Sequence, residues 1–413
     1  MGRSALAFWV FVLCSPAFGL DRDDWFQWRG PQRTGVVHAA EWPRSLGENV
    51  LTSQWRVELP SSYSGPIVVG EKVFVTGSTP EKTEVVLALD RRTGQQLWKA
   101  EWPGWMTVPF FAMSNGNWIR ATPACDGESL FVAGMRDVLV CLDAQTGQER
   151  WRVDLVERTK SELPAFGFVS SPLVAGDFVY VQAGAGLVKL EKRTGAIVWH
   201  TLKDGGGMNG SAFSSPVLTE ILGVPQLVVQ TRERLAGVDP ATGSELWSQA
   251  VEAFRGMNIV TPTVIGNRIF TSSYGGGSYL FEVSRSGDAW SVAQVWRNKV
   301  QGYMSSPVVI DGYVYLHLRN QRFACLELAT GAEKWISRPF GKYWSMVANG
   351  HSLLCLDEQG ELLLIDASPE EFRLVDQRKV TEQPAWGHLA VSGQQLFIRE
   401  LGGLIAMTWG ERR

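Results

Sequence analysis

The chain has 413 residues, 45% of them hydrophobic, and its formal net charge is −3. A chain of this length and composition can bury a large core. The sequence contains no run of Lys or Arg, so nucleic acid is not an expected partner.

The first 19 residues have the pattern of a signal peptide. Arg3 precedes an apolar stretch at residues 5–14, and small residues stand before the expected cleavage site at Leu20. The stretch is too short to span a bilayer. A lipid anchor would use Cys14, but Leu13 stands where a small residue is expected. We therefore expect an exported, soluble protein, periplasmic or extracellular, without a lipid anchor or a transmembrane segment.

Residues 20–413 are expected to form one domain built from repeats. The phrase Asp/Glu-x-x-Thr-Gly-x-x-x-Trp occurs five times, and such a recurring phrase is typical of a repeat architecture. Its copies occupy residues 90–98, 143–151, 191–199, 239–247 and 327–335. Two further copies deviate: the turn is lengthened in residues 281–296, and Leu374 replaces the Trp in residues 366–374.

Each repeat also contains a β-hairpin upstream of this phrase, in which β-branched and aromatic runs flank a glycine turn. The eight turn glycines are Gly70, Gly127, Gly176, Gly223, Gly266, Gly312, Gly350 and Gly393. A third apolar run ends at the acidic residue, the Thr-Gly pair turns the chain, and the Trp falls on a fourth strand. The sequence therefore predicts an all-β fold, an eight-bladed β-propeller with four-stranded antiparallel blades.

The last repeat, from Trp386 to Trp409, has three strands and lacks the fourth. Residues 54–59 resemble the fourth-strand residues 150–155, so a segment at about residues 50–58 is expected to complete the last blade. This closure would leave no strand edge unpaired. The fourth-strand Trp residues are expected to dock neighbouring blades and not to bind a ligand. They are Trp55, Trp98, Trp151, Trp199, Trp247, Trp296 and Trp335.

Four cysteines remain after the expected cleavage site. Cys125 and Cys141 fall on the first and third strands of one blade, and Cys325 and Cys355 fall in different blades. Cys125 and Cys141 are thereby too far apart for easy pairing. All four are therefore interpreted as buried, free thiols.

The repeated phrase and the closed ring resemble the pyrroloquinoline-quinone (PQQ) repeat family over essentially the whole mature chain. Residues 25–35 also look like the opening of many short, exported propellers of this type. The family includes quinoprotein alcohol dehydrogenases and a non-catalytic scaffold lipoprotein of the outer-membrane barrel-assembly machinery. The resemblance therefore implies the fold, and leaves an enzyme and a scaffold as alternatives.

The enzyme alternative requires PQQ and Ca²⁺, and a nearby Asp as general base. The sequence lacks the adjacent cysteine pair of the quinoprotein dehydrogenases, a Ca²⁺-loop pattern, and a Cys-x-x-Cys-His haem motif. The five histidines show no metal-ligand spacing. We therefore expect no cofactor, no metal and no catalytic residue, with PQQ and Ca²⁺ only under the enzyme alternative.

Aromatic residues cluster in the connections that follow the fourth strands, and these connections share one face of a propeller. Six of them are expected near its mouth: Tyr63, Phe168, Phe213, Tyr303, Trp344 and Trp386. The longest connection, residues 101–120, carries five more: Trp102, Trp105, Phe110, Phe111 and Trp118. This connection is either an exposed patch for a partner or a packed lid over the tunnel. Arg120, Arg255 and Lys342 lie in related connections and could hold an anionic group.

The sequence thus favours a non-catalytic binding or assembly scaffold of the cell envelope, acting as a monomeric ring with a protein or peptide partner. A PQQ-dependent alcohol dehydrogenase, or a relative that only binds the quinone, is the first alternative. A carbohydrate or polymer binder is a second one.

Overall fold

The computed structural model describes residues 20–21 and 23–410, so the expected signal peptide lies outside the described residues. It contains eight sheets, which follow one another along the chain, and the inner strands of the first and last blades are adjacent. This is the predicted eight-bladed β-propeller. Three short helical segments occur in the described residues, and none is long and apolar enough for a membrane crossing. They are the α-helix Leu155–Thr159 and the 3-10 helices Phe110–Asn115 and Phe254–Gly256.

The first four blades are regular meanders, in which each strand pairs with the next along the chain. Blade 1 contains Ile67–Val69, Lys72–Ser78, Thr83–Asp90 and Gln96–Pro103. Blade 2 contains Ala124–Cys125, Ser129–Gly134, Val138–Asp143 and Glu149–Asp154. Blade 3 contains Leu173–Ala175, Phe178–Gln182, Leu187–Glu191 and Ile197–Thr201. Blade 4 contains Val217–Ile221, Val224–Gln230, Arg234–Val238 and Glu245–Ala250.

The second half of the ring includes both deviating repeats. Blade 5 contains Thr263–Ile265, Arg268–Ser273, Gly277–Ser286 and Ala289–Asn298, the last two forming the lengthened hairpin. Blade 6 contains Val308–Ile310, Tyr313–His317, Arg322–Glu327 and Glu333–Pro339. Blade 7 contains Trp344–Asn349, Ser352–Asp357, Glu361–Asp366 and Arg373–Lys379. Blade 8 contains Ala390–Ser392, Gln395–Glu400 and Gly403–Trp409.

The N-terminal part of the chain completes the ring at two places. Leu51–Glu58 pairs antiparallel with Gly403–Trp409 and supplies the outer strand of blade 8, as predicted. Val36–Val37 was not predicted as a strand, and it pairs in parallel with the inner strand of blade 7, Trp344–Asn349. The chain therefore passes along the propeller axis before it reaches the outside of blade 8.

The repeated phrase builds a turn and a docking residue in each regular blade. In blade 2 the Asp143 carboxylate accepts hydrogen bonds from the Thr146 backbone N–H, at 2.8 Å, and from its hydroxyl, at 2.9 Å. Gly147 follows in the left-handed region, with φ of 73°. The Trp98 indole of blade 1 donates to the Ala144 carbonyl of the same turn at 3.2 Å. The Asp143 carboxylate thus fixes the Thr-Gly turn of blade 2, and the Trp98 indole joins blade 1 to that turn.

Hydroxyl groups join the starts of the inner strands around the axis. The Thr122 N–H of blade 2 donates to Ser171 Oγ of blade 3, and the Ser171 N–H donates in turn to Ser215 Oγ of blade 4. The Ser215 N–H donates to Thr261 Oγ1 of blade 5. The recurring Ser and Thr hydroxyls before the inner strands therefore accept hydrogen bonds from backbone N–H groups of the neighbouring blade. These N–H groups lie just before the short inner strands, where no strand pairing can satisfy them.

The core lies between the faces of adjacent blades. Phe74 of blade 1, for example, packs in one cluster with Leu130 of blade 2. The cysteines Cys125, Cys141, Cys325 and Cys355 are buried and free, as expected. Burial raises the pKa of the Cys125 thiol to about 12, which keeps it protonated.

Candidate functional site

A large pocket opens at the mouth of the propeller, on the face that carries the connections from outer to inner strands. Its volume is about 710 Å³, within the range of ligand sites. Every one of the eight connections contributes lining residues: Tyr63, Phe111, Phe166, Phe213, Phe254, Tyr303, Tyr343 and Trp386 represent them in chain order. We call this cavity the mouth pocket. It is therefore a product of the closed ring and not of one repeat.

Aromatic side chains contact one another along most of the rim of the mouth pocket. Tyr63 stacks on Trp386 with ring centroids 4.3 Å apart, and Trp386 meets Tyr343 edge-on at 4.4 Å. On the opposite side, Phe166 contacts both Phe111 and Phe213. Such contacts between rings fix their orientations and hold the connections together.

Three arginines complete the lining: Arg120, Arg232 and Arg255. Arg232 lies 4.5 Å from the centre of the Phe213 ring and donates to the Arg255 carbonyl at 2.8 Å. Arg120 donates to the Gly116 carbonyl at 2.8 Å, and burial lowers its pKa to about 10, so it remains charged at neutral pH. The pocket wall thus combines apolar rings with positive charge.

The floor of the mouth pocket adjoins a segment that fills the tunnel, residues 24–37, which we call the plug. The plug enters from the opposite face, where Trp25 pairs with Val68 of the inner strand of blade 1. Further along, Arg33 donates to the Pro172 and Ser171 carbonyls at 2.7 and 3.0 Å. Residues 25–35, which resemble the opening of other short propellers, are therefore the part of the chain that fills the tunnel along the propeller axis.

The family was identified by comparison with known proteins. A family model described as "Outer membrane protein assembly factor BamB" matches residues 81–337, more than half of the chain. The chain belongs to this family. The curated BamB of Yersinia pestis is 22% identical over 389 residues, covering 90% of this chain and 92% of the relative. BamB of Moranella endobia is 27% identical over 263 residues, covering 59% of this chain and 64% of that relative, slightly less than two thirds of its length.

Solved structures share the BamB-like propeller. The crystal structure of BamB from Moraxella catarrhalis superposes with a TM-score of 0.62 at 15% identity, covering 88% of this chain and 99% of that one. A europium-containing methanol dehydrogenase has a TM-score of 0.54 at 13% identity, covering 94% and 98%. At these identities the likeness shows the fold alone.

The residues of this BamB-family chain do not fit a Ca²⁺–PQQ centre at the mouth pocket. Arginines and aromatic rings could accompany a planar, anionic quinone, but Ca²⁺ takes six to eight oxygen ligands in proteins. The lining contains no Asp or Glu, so it also offers no carboxylate as a general base. In the described part of the chain, no cluster of three or more His, Cys, Asp or Glu could hold a metal ion. The wall of the mouth pocket therefore does not fit such a centre.

The mouth pocket brings together most of the aromatic residues singled out in the sequence. Phe111, Tyr63, Phe213, Tyr303, Trp344 and Trp386 all line it. Trp118 contacts Tyr63 behind the wall, at a ring distance of 5.1 Å. Phe110 stands outside the pocket and is 84% exposed.

Three of the expected partner-binding residues lie away from the mouth pocket, and two of these are buried, which corrects the prediction for those two. Trp102 is only 4% exposed because it lies at the end of the outer strand of blade 1, where its indole donates to the Glu84 carboxylate at 2.7 Å. Phe168 is 1% exposed and packs in the core between blades 2 and 3. Trp105 lies in the long connection, 4.7 Å from Lys82 Nζ, and does not line the pocket.

The long connection, residues 101–120, combines the two alternatives considered for it, since one part is packed against blade 2 and another part is exposed. Its buried residues Met106, Val108 and Ala112 pack with Met135 of blade 2 and fix it in place. Beyond them, Phe110, Phe111 and Met113 are exposed.

Sequence reasoning missed several lining residues. Phe166, Phe254 and Tyr343 follow outer strands just as the named aromatics do, so the same positional signal could have found them. Arg232 could not have been found this way, because it lies in the turn between the second and third strands of blade 4. Lys342 does not line the pocket, and its ammonium lies 5.1 Å from the Tyr343 ring.

Proposed function

We propose that this BamB-family propeller is a non-catalytic scaffold of the cell envelope, which holds a protein or peptide partner at the mouth pocket during outer-membrane protein assembly. Support for the setting comes from the curated relatives, which carry the name outer membrane protein assembly factor. Support for the absence of catalysis comes from the pocket wall, which lacks a carboxylate.

The observation that carries the proposal is an exposed apolar rim around a preformed pocket. Phe110, which is 84% exposed, and Met113 are exposed beside the pocket, and the lining residues Phe111 and Phe254 are exposed as well. Exposed apolar groups that are contiguous with a concave site are typical of protein-binding surfaces. A partner that covered them would gain the free energy of burying these side chains.

Export and a monomeric ring belong to the proposal. Export rests on the signal-peptide pattern of residues 1–19, and mass spectrometry of the chain recovered from its own cells would test cleavage before Leu20. The same spectrum tests the prediction that Cys14 carries no lipid. Light scattering of the purified protein tests the monomer.

The function is tested by deletion and complementation in the source organism. Deletion should lower the amount of folded β-barrel protein in the outer membrane, and the wild-type chain should restore it. The double variant Phe110→Ser/Phe111→Ser should fail to restore it. Leu222→Ser is the matched control, because Leu222 is 50% exposed on a turn of the opposite face. Full restoration by the double variant would reject the mouth as the partner surface, and an unaffected outer membrane would reject the assembly role.

The enzyme alternative has its own test. The purified chain is titrated with PQQ, with and without Ca²⁺, and binding is followed by Trp fluorescence and thermal shift. We expect no saturable, Ca²⁺-dependent binding. Saturable binding together with alcohol-dependent dye reduction would replace the scaffold proposal with a quinoprotein dehydrogenase.

A further inference from the structure

We propose that the mouth pocket recognises a peptide segment in which a carboxylate accompanies apolar side chains. This inference rests on the proposed scaffold function and adds the chemistry of the partner. The carboxylate can be the C-terminus of the segment or an acidic side chain, and a comparison of three peptides separates these two sources.

The first argument is the charge of the pocket wall. Arg120, Arg232 and Arg255 line it, and the lining contains no Asp or Glu. None of the three makes an ion pair within the described residues. Arg120 and Arg232 are at least partly buried, and a positive charge in such a position without an ion-pair partner favours binding of an anion, because part of its hydration is already lost in the free protein. Arg255 is exposed and adds a further positive charge to the wall.

The second argument concerns the remaining hydrogen-bonding capacity of these arginines. The Nε atoms of Arg120 and Arg232 are buried and have no hydrogen-bond partner among the described residues. The Arg232 guanidinium bonds only to the carbonyls of Gly210, Met208 and Arg255. The Asp204 carboxylate, which lowers the potential at Arg232, accepts instead from the Gly206 and Ser211 N–H groups. The Arg232 guanidinium is thus hydrogen-bonded only to carbonyl groups, and the Asp204 and Glu233 carboxylates act on it without forming an ion pair.

The plug adds two more positive charges close to the pocket floor. Arg29 donates to the Pro307 carbonyl, two residues after the lining residue Ser305. Arg33 donates to the Ser171 carbonyl, two residues after the lining residue Val169. Both side chains are buried, and neither bonds to a carboxylate in the described part of the chain. Buried charges are weakly screened, so these two arginines add to the attraction for an anion.

The third argument is the apolar remainder of the wall. Rings and methionines surround the arginines, including Met208, Met257 and Met304. Methionine side chains adapt to ligands of different shape, which suits recognition of varied peptide side chains. The apolar surface continues outside the pocket onto Phe110 and Met113. An extended segment can cover both the pocket and this rim, whereas a small molecule confined to 710 Å³ would leave the rim exposed.

The test measures whether the purified chain distinguishes a carboxylate from its neutral equivalent. Three fluorescent hexapeptides of Phe, Tyr and Gly are compared by anisotropy: a free C-terminal acid, its C-terminal amide, and the amide with one internal Glu. We expect the free acid to bind about tenfold more tightly than the amide, since a hydrogen bond to a charged group is stronger than one to a neutral group. Tight binding of the Glu peptide means that a side-chain carboxylate suffices. Weak binding of that peptide means that the C-terminus is required.

Variants that remove single positive charges test whether the preference for a carboxylate arises at the mouth pocket. Arg255→Gln is the main variant, because Arg255 is exposed and its side chain has no hydrogen-bond partner in the described residues. It should reduce the acid-to-amide ratio several-fold and leave the melting temperature unchanged. Arg120→Gln should act in the same direction and is interpreted only if it melts as wild type. Arg193→Gln is the matched control, because it removes the same charge from a Thr-Gly turn on the opposite face.

Equal affinity for all three peptides, or a preference for the carboxylate peptides over the neutral amide that Arg255→Gln does not change, would overturn the inference. The scaffold function would survive that result if Phe110→Ser/Phe111→Ser still failed in complementation. The two proposals therefore fail separately.

Discussion

Gly147 of blade 2 lies directly beneath the indole of Trp98 of blade 1. A Cβ placed on this glycine would come within 2.5 Å of Trp98 Cε3, closer than any real Cβ contact. The same pairing recurs around the ring, between Gly94 and Trp55, Gly195 and Trp151, Gly243 and Trp199, and Gly331 and Trp296. The repeated phrase thus supplies both sides of the contact between neighbouring blades. Its Trp packs on the Thr-Gly turn of the next blade, and its own Thr-Gly turn contacts the Trp of the preceding blade.

The first prediction separates the backbone and packing roles of this glycine. Gly147→Ala should destabilise the protein by roughly 3 kcal/mol, because it combines a left-handed backbone with a clash against the ring. Gly176→Ala should cost only about 1 kcal/mol, because its φ is also positive, at 56°, but nothing lies within 4 Å of the new Cβ. Urea unfolding of both variants gives the two values. Equal losses would show that the indole does not require a glycine beneath it.

The second prediction concerns the two kinds of aromatic residue in the connection between blades 1 and 2. Trp102→Ala should cost roughly 3–5 kcal/mol of folding free energy, because the indole is 4% exposed and its N–H bonds to Glu84. Phe110→Ala should change stability by less than about 0.5 kcal/mol, because Phe110 is 84% exposed. Thermal unfolding measures both. A stable Trp102→Ala variant would mean that Trp102 is free to meet a partner.

The sequence predicts the ring well because each repeat carries its own local signals. Glycine turns such as Gly176, the Thr-Gly pair and the Trp recur in register, so the blade number and the closing strand at residues 51–58 follow from the pattern. The plug at residues 24–37 could not be predicted, because it occurs once and its contacts are with blades distant in sequence.

The site is predictable only in part. Residues that follow an outer strand, such as Tyr303 and Trp386, are placed at the mouth by topology alone. Burial within a connection depends on tertiary packing, so Trp102 and Phe111 look alike in the sequence and are opposite in exposure.

The third prediction tests the plug. Arg33→Ala should destabilise the protein by about 2 kcal/mol, because the Ser171 and Pro172 carbonyls at the axis lose their charged donor. Arg193→Ala, at an exposed position, should change stability by less than about 0.5 kcal/mol. Arg33→Ala should also make residues 20–50 cleavable by protease before the blades unfold. Unchanged stability with an intact N-terminal segment would show that these hydrogen bonds do not hold the plug.

The fourth prediction concerns two buried carboxyl groups that link neighbouring blades. Glu84 of blade 1 accepts from the Met135 N–H of blade 2 at 2.6 Å, and Asp137 of blade 2 accepts from the Gly184 N–H of blade 3 at 2.7 Å. Burial raises the pKa of each to about 7, from ordinary values of 4.5 and 3.8. The folded state therefore binds these protons more tightly than the unfolded state does. Their stabilising contribution is complete below about pH 4 and is lost as the pH rises through 7.

Between pH 5 and pH 8, the free energy of unfolding should therefore decrease with rising pH, by up to a few kcal/mol, because each pKa unit corresponds to about 1.4 kcal/mol. Glu84→Gln/Asp137→Asn should flatten this slope, because the amides stay neutral and their oxygens still accept the two N–H bonds. Glu128→Gln, an exposed carboxyl group in blade 2, is the control and should keep the wild-type slope. Urea unfolding at several pH values measures all three proteins. If the double variant keeps the wild-type slope, the pH dependence of the unfolding free energy comes from other groups, and protonation of Glu84 and Asp137 does not stabilise the contacts between blades.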